Sequence, residues 1–411
     1  MRPGFAGSGG LVQASKAAMN ETRHPSAVVF GAGSVGRGFL GQLLSESGYE
    51  VVFVDVDEVL VRALAARGAY TLRLAGVVRV EELVVGPVRA VGGRDAAGVA
   101  RELAQARLVA TAVGARALSA IGTSIAAGLD QRWKLDERDA LNIIICENLP
   151  DAPERLGAHI RAALSEEFRS HLSSRLGLVP AVIARMSPVP TAAQRAGDPT
   201  LVVAEPYKVL PADRDGFVGA IPEIVGLRAV APFGAYTARK LYIHNAAHAV
   251  LGYLGYRRGH IYGYEALDDP WIRARLDEGL EAVSRSLTAA YDLEPVGLLE
   301  HIDYLLIRLA NRALADPCTR LARDPLRKLA PDDRLVGAAR LVEAHGISPR
   351  GLAWGIAAAL TYDHPDDGHA VALQKQIRKA GVVRVLNDVC RIQAEEALGE
   401  LVLASYAELK R

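Results

Sequence analysis

Between residues 238 and 255 the chain reads ARKLYIHNAAHAVLGYLG. Lysine, asparagine and histidine can accept, donate or relay protons. Here Lys240, His244, Asn245 and His248 interrupt a run of Leu, Ile, Ala, Val and Tyr. At about 100° per residue, with Lys240 at zero, His244 falls at about 40°, His248 at about 80° and Asn245 at about 140°. An α-helix therefore carries all four on one side. Two readings fit: core histidines flanked by surface residues, or a chemical row set into an apolar wall. The stretch alone does not choose between them. A metal pair at His244 and His248 would resemble HExxH, but Asn245, Ala246 and Ala247 lie between them and no glutamate base does. No bound metal is expected.

Such a row needs a scaffold, and the N-terminal half supplies one. Ala27–Phe30 is a short apolar run suited to a buried strand, followed by Gly31-Ala32-Gly33-Ser34-Val35-Gly36 as GxGxxG. Phe39, Leu40, Leu43 and Leu44 then recur at helical spacing, Gly48 ends the helix, and EVVFVDVD makes a second strand finishing at Asp55. Gly31 serves the tight turn, Gly33 the approach to a pyrophosphate and Gly36 the packing of helix on strand. The helix N-terminus, with Ser34 and Val35 beside it, faces the anion. Asp55 stands where a carboxylate accepts hydrogen bonds from a ribose 2′-OH and repels a 2′-phosphate, which favours NAD over NADP. Strand, glycines, helix, strand and acid in this order form a dinucleotide-binding signature far stronger than GxGxxG alone. RLVATAVG, holding Thr111 and Val113, and ALNIIICENLP, ending at Glu147-Asn148, read as further buried strands. Ligands of doubly wound sheets sit at such strand ends, so Asn148 is a site candidate, although taken alone it reads more simply as an ordinary strand-end turn before Pro150.

From about residue 205 the strand pattern gives way to amphipathic helical stretches such as DPWIRARLDEGLEAVSRSLTAAY and LEHIDYLLIRLANRAL. The expected fold is α/β: a Rossmann-type doubly wound sheet over 25–205, then a mostly helical substrate domain over 206–411. Residues 1–24, rich in Gly, Ala and Ser, read as a disordered tail, with Met19 a later candidate start. Lys+Arg 48 against Asp+Glu 47 leaves a net charge of +1, without the basic excess of a nucleic-acid binder. No apolar run approaches the roughly 20 residues of a membrane span. Three scattered cysteines suit a reduced, cytoplasmic protein.

FGAGSVGRGF, DVD, TAVG, NIIICEN, KLYIHNAAHA and RDPLRKLAPDDRL occur in the order seen in the polyol-specific long-chain dehydrogenases, the mannitol dehydrogenase family, which the chain resembles from about residue 27 to its end. Lys240, Asn245 and His248 match the family's K-x-x-x-x-N-x-x-H signature; His244 lies outside it and reads as structural. The resemblance implies metal-independent, NAD-linked interconversion of a polyol phosphate and a ketose phosphate, mannitol 1-phosphate with fructose 6-phosphate being the typical pair. It implies Lys240 as general base, its proton loosened by burial, with Asn245 and Asn148 donating to the reacting oxygen and His248 holding a substrate hydroxyl or orienting the lysine. Arg320 takes the position of a substrate-binding arginine, with Arg327, Lys328 and Arg334 near the phosphate. From the residues alone, Arg320, Arg323 and Arg327 at i, i+3 and i+7 make a solvated basic face, with Pro325 expected to break that helix.

Two positions depart from the family: Ala184 precedes Arg185 where an acid is common, and Ala238 stands two residues before the lysine where a glutamate is common. Both bear on which polyol is used. A free polyol or sugar acid is the alternative substrate. The β-hydroxyacid dehydrogenases set their lysine and asparagine four apart, against five here. A non-catalytic NAD sensor would have no need of a base.

Overall fold

The computed structural model describes residues 24–135, 139–188 and 192–411. Residues 1–23, read above as a tail, lie outside the described residues. Among the described residues eleven strands follow in order: β1 (Ser26–Phe30), β2 (Glu50–Asp55), β3 (Tyr70–Ala75), β4 (Val80–Val85), β5 (Val88–Gly92), β6 (Leu108–Thr111), β7 (Leu141–Ile145), β8 (Leu176–Pro180), β9 (Val202–Ala204), β10 (Leu210–Asp213) and β11 (Leu227–Val230).

Six of them make one parallel sheet in the order β5-β2-β1-β6-β7-β8. Helices cover both faces, so β1, β2, β6 and β7 are almost wholly buried and read as continuous apolar runs. Strand order reverses between β1 and β6, and the crevice at their carboxyl ends is where such folds bind ligands. The expected doubly wound sheet is present. Strands around LVVAEPYKVL accord with β9 and the start of β10, but the sequence pattern does not reveal their pairing: a second sheet, β4-β3-β9, and the parallel pair β10-β11.

The C-terminal half is a helical body with one large apolar core. Asp269 caps the helix Pro270–Tyr291 by accepting from the Trp271 and Ile272 amides, and Glu294 caps Pro295–Leu309 by accepting from Val296 and Gly297. Proline at each first turn leaves a missing N–H where none is needed.

Two expectations require correction. The stretch 238–255 is not a uniform α-helix: α-helical Phe233–Arg239 leads into a π-helical turn, Lys240–Asn245, and then into α-helical Ala246–Arg257. The arginines at 320, 323 and 327 share no helix face either. One short helix, Cys318–Ala322, stops before Arg323; Asp324 turns left-handed at φ 63°, and Pro325–Lys328 starts afresh.

Candidate active site

The π turn explains the spacing of the row. An α-helix stacks side chains three or four apart, whereas a π turn is closed by i→i+5 bonds. Residues five apart, Lys240 and Asn245, are thereby brought towards one line instead of diverging as they do on an α-helical wheel.

Across the cleft, the Lys240 amine donates to Asn148 Oδ1 at 3.1 Å, a contact spanning 92 residues of sequence. Asn148 follows the end of β7, and Glu147 beside it anchors the neighbouring strand end. The Glu147 carboxylate accepts from the Val113 amide at 2.9 Å and the Gly114 amide at 2.7 Å. Glu147 was not singled out from sequence, although it sits within the polar end of the IIICEN run.

Solvent reaches Lys240 only in part. Burial lowers its pKa to about 8, assisted by the cations Arg334 and Arg327 and opposed by Asp333. Asn245 is buried, and its side-chain amide is able to donate to a ligand. His248 Nδ1 lies 3.1 Å from the His244 carbonyl, which can only accept, so Nδ1 carries the proton. Burial, then the charges of Arg320 and Arg308, lower the pKa of His248 to about 3. The ring is therefore neutral, with an unprotonated Nε2, 3.3 Å from Met186 Sδ. It can accept from a substrate hydroxyl. The partners of its two ring nitrogens are the His244 carbonyl and Met186 Sδ, not Lys240. His244 is buried, with Nδ1 unpartnered and its pKa well below the usual histidine value through burial and then His248; its place is structural. Among the described residues no cluster of three His, Cys, Asp or Glu is placed to hold a metal.

The phosphate candidates gather nearby, each already engaged. Arg320 binds Asp316 through Nε and Nη2. Arg327 meets Asp324 at 2.9 Å and Asp333 at 3.5 Å, and Arg334 meets Asp333 at 2.7 Å. Lys328 is buried, donates to the Leu321 carbonyl, and has its pKa lowered to about 7 by burial and then by Arg334 and Arg327.

On the nucleotide side, Gly31 (φ +91°) makes the turn after β1, and a Cβ there would lie 2.3 Å from the Ala112 oxygen. A Cβ on Gly36 would collide with the Gly31 oxygen at 1.9 Å, whereas one on Gly33 would meet nothing within 4 Å. Gly33 thus faces open space, bordered by Ser34 and Val35, which suits the close approach of a pyrophosphate. Asp55 ends β2, with Oδ2 accepting from Ala32 N at 2.6 Å and Oδ1 from Asp57 N at 2.9 Å. Thr111, wholly buried at the end of β6, has an unpartnered hydroxyl. These residues fit a dinucleotide.

Sequence reasoning also missed the join between the halves. Glu205, after β9, accepts from the Met186 amide at 2.6 Å and from Arg308 Nε at 2.8 Å, and Arg308 also donates to the Ala184 carbonyl. Asn311 donates to the Ala75 carbonyl at 2.7 Å. The signal was a lone acid in LVVAEPYKVL and a lone arginine in LLIRLA, charged residues where the pattern demands burial.

Models of the mannitol dehydrogenase Rossmann domain and C-terminal domain match residues 25–226 and 233–409. The chain is 38% identical over 379 residues to the mannitol-1-phosphate 5-dehydrogenase of Bacillus licheniformis, covering 92% of this chain and 98% of that one. It is 38% identical over 378 residues to the enzyme of that name from Bacillus subtilis, with the same coverage. Its fold matches the Pseudomonas fluorescens mannitol 2-dehydrogenase ternary complex with NAD and D-mannitol at a TM-score of 0.74 and 19% identity, covering 95% of this chain and 92% of that one. A substrate-free D-sorbitol dehydrogenase matches at 0.79 and 17% identity, covering 94% and 93%. With both family domains matched in order over nearly its whole length, and with relatives this similar, the chain belongs to the mannitol dehydrogenase family.

Proposed function

We propose that the protein interconverts mannitol 1-phosphate and fructose 6-phosphate, with NAD as the hydride carrier. The carrying observation is the Lys240–Asn148 contact, which sets the lysine of the helical half against a strand end of the nucleotide fold. The names of the relatives support the substrate pair. Bound NAD supplies the hydride acceptor. Gly31, Gly33, Ser34, Val35 and Gly36 would hold its pyrophosphate and Asp55 its ribose, with Thr111 and Val113 walling the site. In polyol oxidation, neutral Lys240 takes the proton of the reacting hydroxyl. Asn245 and the Nδ2 group of Asn148 donate to that oxygen as charge builds. In the reverse direction the Lys240 ammonium returns the proton. The three cysteines are free and buried, in keeping with a cytoplasmic location.

The test is NADH absorbance with mannitol 1-phosphate, mannitol, fructose 6-phosphate and fructose side by side. Strong preference for the phosphorylated pair is expected. One observation favours a second reading, a free polyol or sugar acid: Arg320, Arg327 and Arg334 already face carboxylates. Equal rates on mannitol and mannitol 1-phosphate would move the assignment there. If the phosphate draws on this segment, Arg334→Ala removes a charged hydrogen bond of about 1.5–3 kcal/mol. It then lowers kcat/KM for mannitol 1-phosphate roughly ten- to a hundredfold, and less for mannitol; an equal drop for both refutes the placement.

Asp55 carries the cofactor choice. Asp55→Asn keeps an acceptor but removes the charge that repels a 2′-phosphate. The kcat/KM ratio of NAD to NADP is expected to fall about tenfold. A wild-type enzyme that prefers NADP overturns this reading of Asp55.

A further inference from the structure

Arg308 has a donor left over. Its Nε and Nη2 are taken by Glu205 and the Ala184 carbonyl, and its guanidinium stacks 4.0 Å from the centroid of the Tyr207 ring. Nη1 is buried with no partner, in a residue only 4% exposed. Most buried polar groups are satisfied, because an unmade hydrogen bond there costs its full desolvation. A charged donor held rigidly on its other edge and left unsatisfied on this one calls for a ligand.

Arg308 lines a partly enclosed pocket of ≈ 20 Å³ between the two halves, together with His248, Tyr264, Asp316, Met186 and Leu321. That is room for about one water. It admits a hydroxyl and excludes a phosphate. The polar walls are of both kinds: Arg308 can only donate, whereas Asp316 and the unprotonated Nε2 of His248 can only accept. A hydroxyl, with one donor and two lone pairs, satisfies both at once. A dianion would meet the Asp316 carboxylate.

We propose that this pocket is the subsite for a substrate hydroxyl on the carbon chain end distal to the phosphate, read by Arg308 Nη1 as donor, with the phosphate left outside. The choice of that end rests on the proposed function; the hydroxyl subsite itself does not. Arg308 then sets which way round the substrate lies.

The experiment crosses the hydroxyl with the arginine. Wild type, Arg308→Lys and the double variant Glu205→Gln/Arg308→Gln, which replaces the buried pair by a neutral one of similar volume, are assayed with fructose 6-phosphate and with 1-deoxyfructose 6-phosphate. Thermal melting checks that each variant folds. Wild type is expected to reject the deoxy compound by roughly a hundredfold or more in kcat/KM, because a site built for a hydroxyl is left unpaired without it. In the folded variants that discrimination collapses to a few-fold. A merely structural arginine would lower both substrates alike and leave the ratio intact. A wild type indifferent to the missing hydroxyl, or variants that keep the discrimination, overturns the proposal. If the wild type takes only unphosphorylated substrates, the proposed function fails instead, and the same cross with fructose and 1-deoxyfructose still decides the subsite.

Discussion

Lys240→Ala is expected to lower turnover by about 10²–10⁴-fold, the usual contribution of a general acid–base group, while the affinity for NADH, measured by fluorescence titration, stays nearly unchanged. The lysine amine engages Asn148 and no group of the glycine loop, so its loss removes proton transfer and leaves the nucleotide fold alone. Near-normal kcat in this variant sinks the mechanism. The pH profile gives an independent reading. Oxidation needs the neutral amine, so its rate should rise with pH and level off above about 8, the value to which burial and the neighbouring arginines bring Lys240. Reduction needs the ammonium and should fall through the same pH. Arg334 helps to hold that value down, so Arg334→Gln should move both inflections upward. An inflection that stays put would assign the titration to another group.

The largest expected effect on stability lies at Glu205. It is 1% exposed and Arg308 is 4% exposed, and the pair ties the segment after β9 to the helix Pro295–Leu309. Breaking a buried ion pair from one side leaves the other charge uncompensated, so Glu205→Ala is expected to cost about 3–5 kcal/mol in urea unfolding. One feature pushes the cost towards the upper end: the carboxylate also accepts from the Met186 amide. Replacing both partners should be milder, since a neutral pair carries no orphan charge. A single variant that loses under about 1 kcal/mol, the range of an ordinary surface change, would show that the pair is not what joins the halves. Activity should suffer with stability, because Met186 touches His248.

Much of the nucleotide fold was legible in the chain because its code is local. The apolar strand at 27–30, the glycines from 31 to 36 and Asp55 at the end of β2 lie within about 30 residues, and turn, helix start and strand end each follow from neighbours in sequence. The signature of Lys240, Asn245 and His248 was legible for the same reason: all three sit on one continuous helical segment. The small β4-β3-β9 sheet was not, since β9 reaches β3 from more than a hundred residues away and only tertiary contact pairs Leu72 with Val202.

The amino-acid sequence by itself determined the fold class and the family, and it pointed to the residues proposed to handle protons. Tertiary structure decided how those residues meet. The π turn that brings Lys240 and Asn245 into line involves one extra residue in a turn, and an apolar pattern read at 100° per residue passes over it. The Lys240–Asn148 contact spans 92 residues and the Glu205–Arg308 pair 103. Periodicity describes which face of an element is apolar, not which distant side chain that face will meet. Each buried charge could be recognised in the chain as out of place; its partner, and the donor it leaves free beside His248, became visible only once the two halves were packed together.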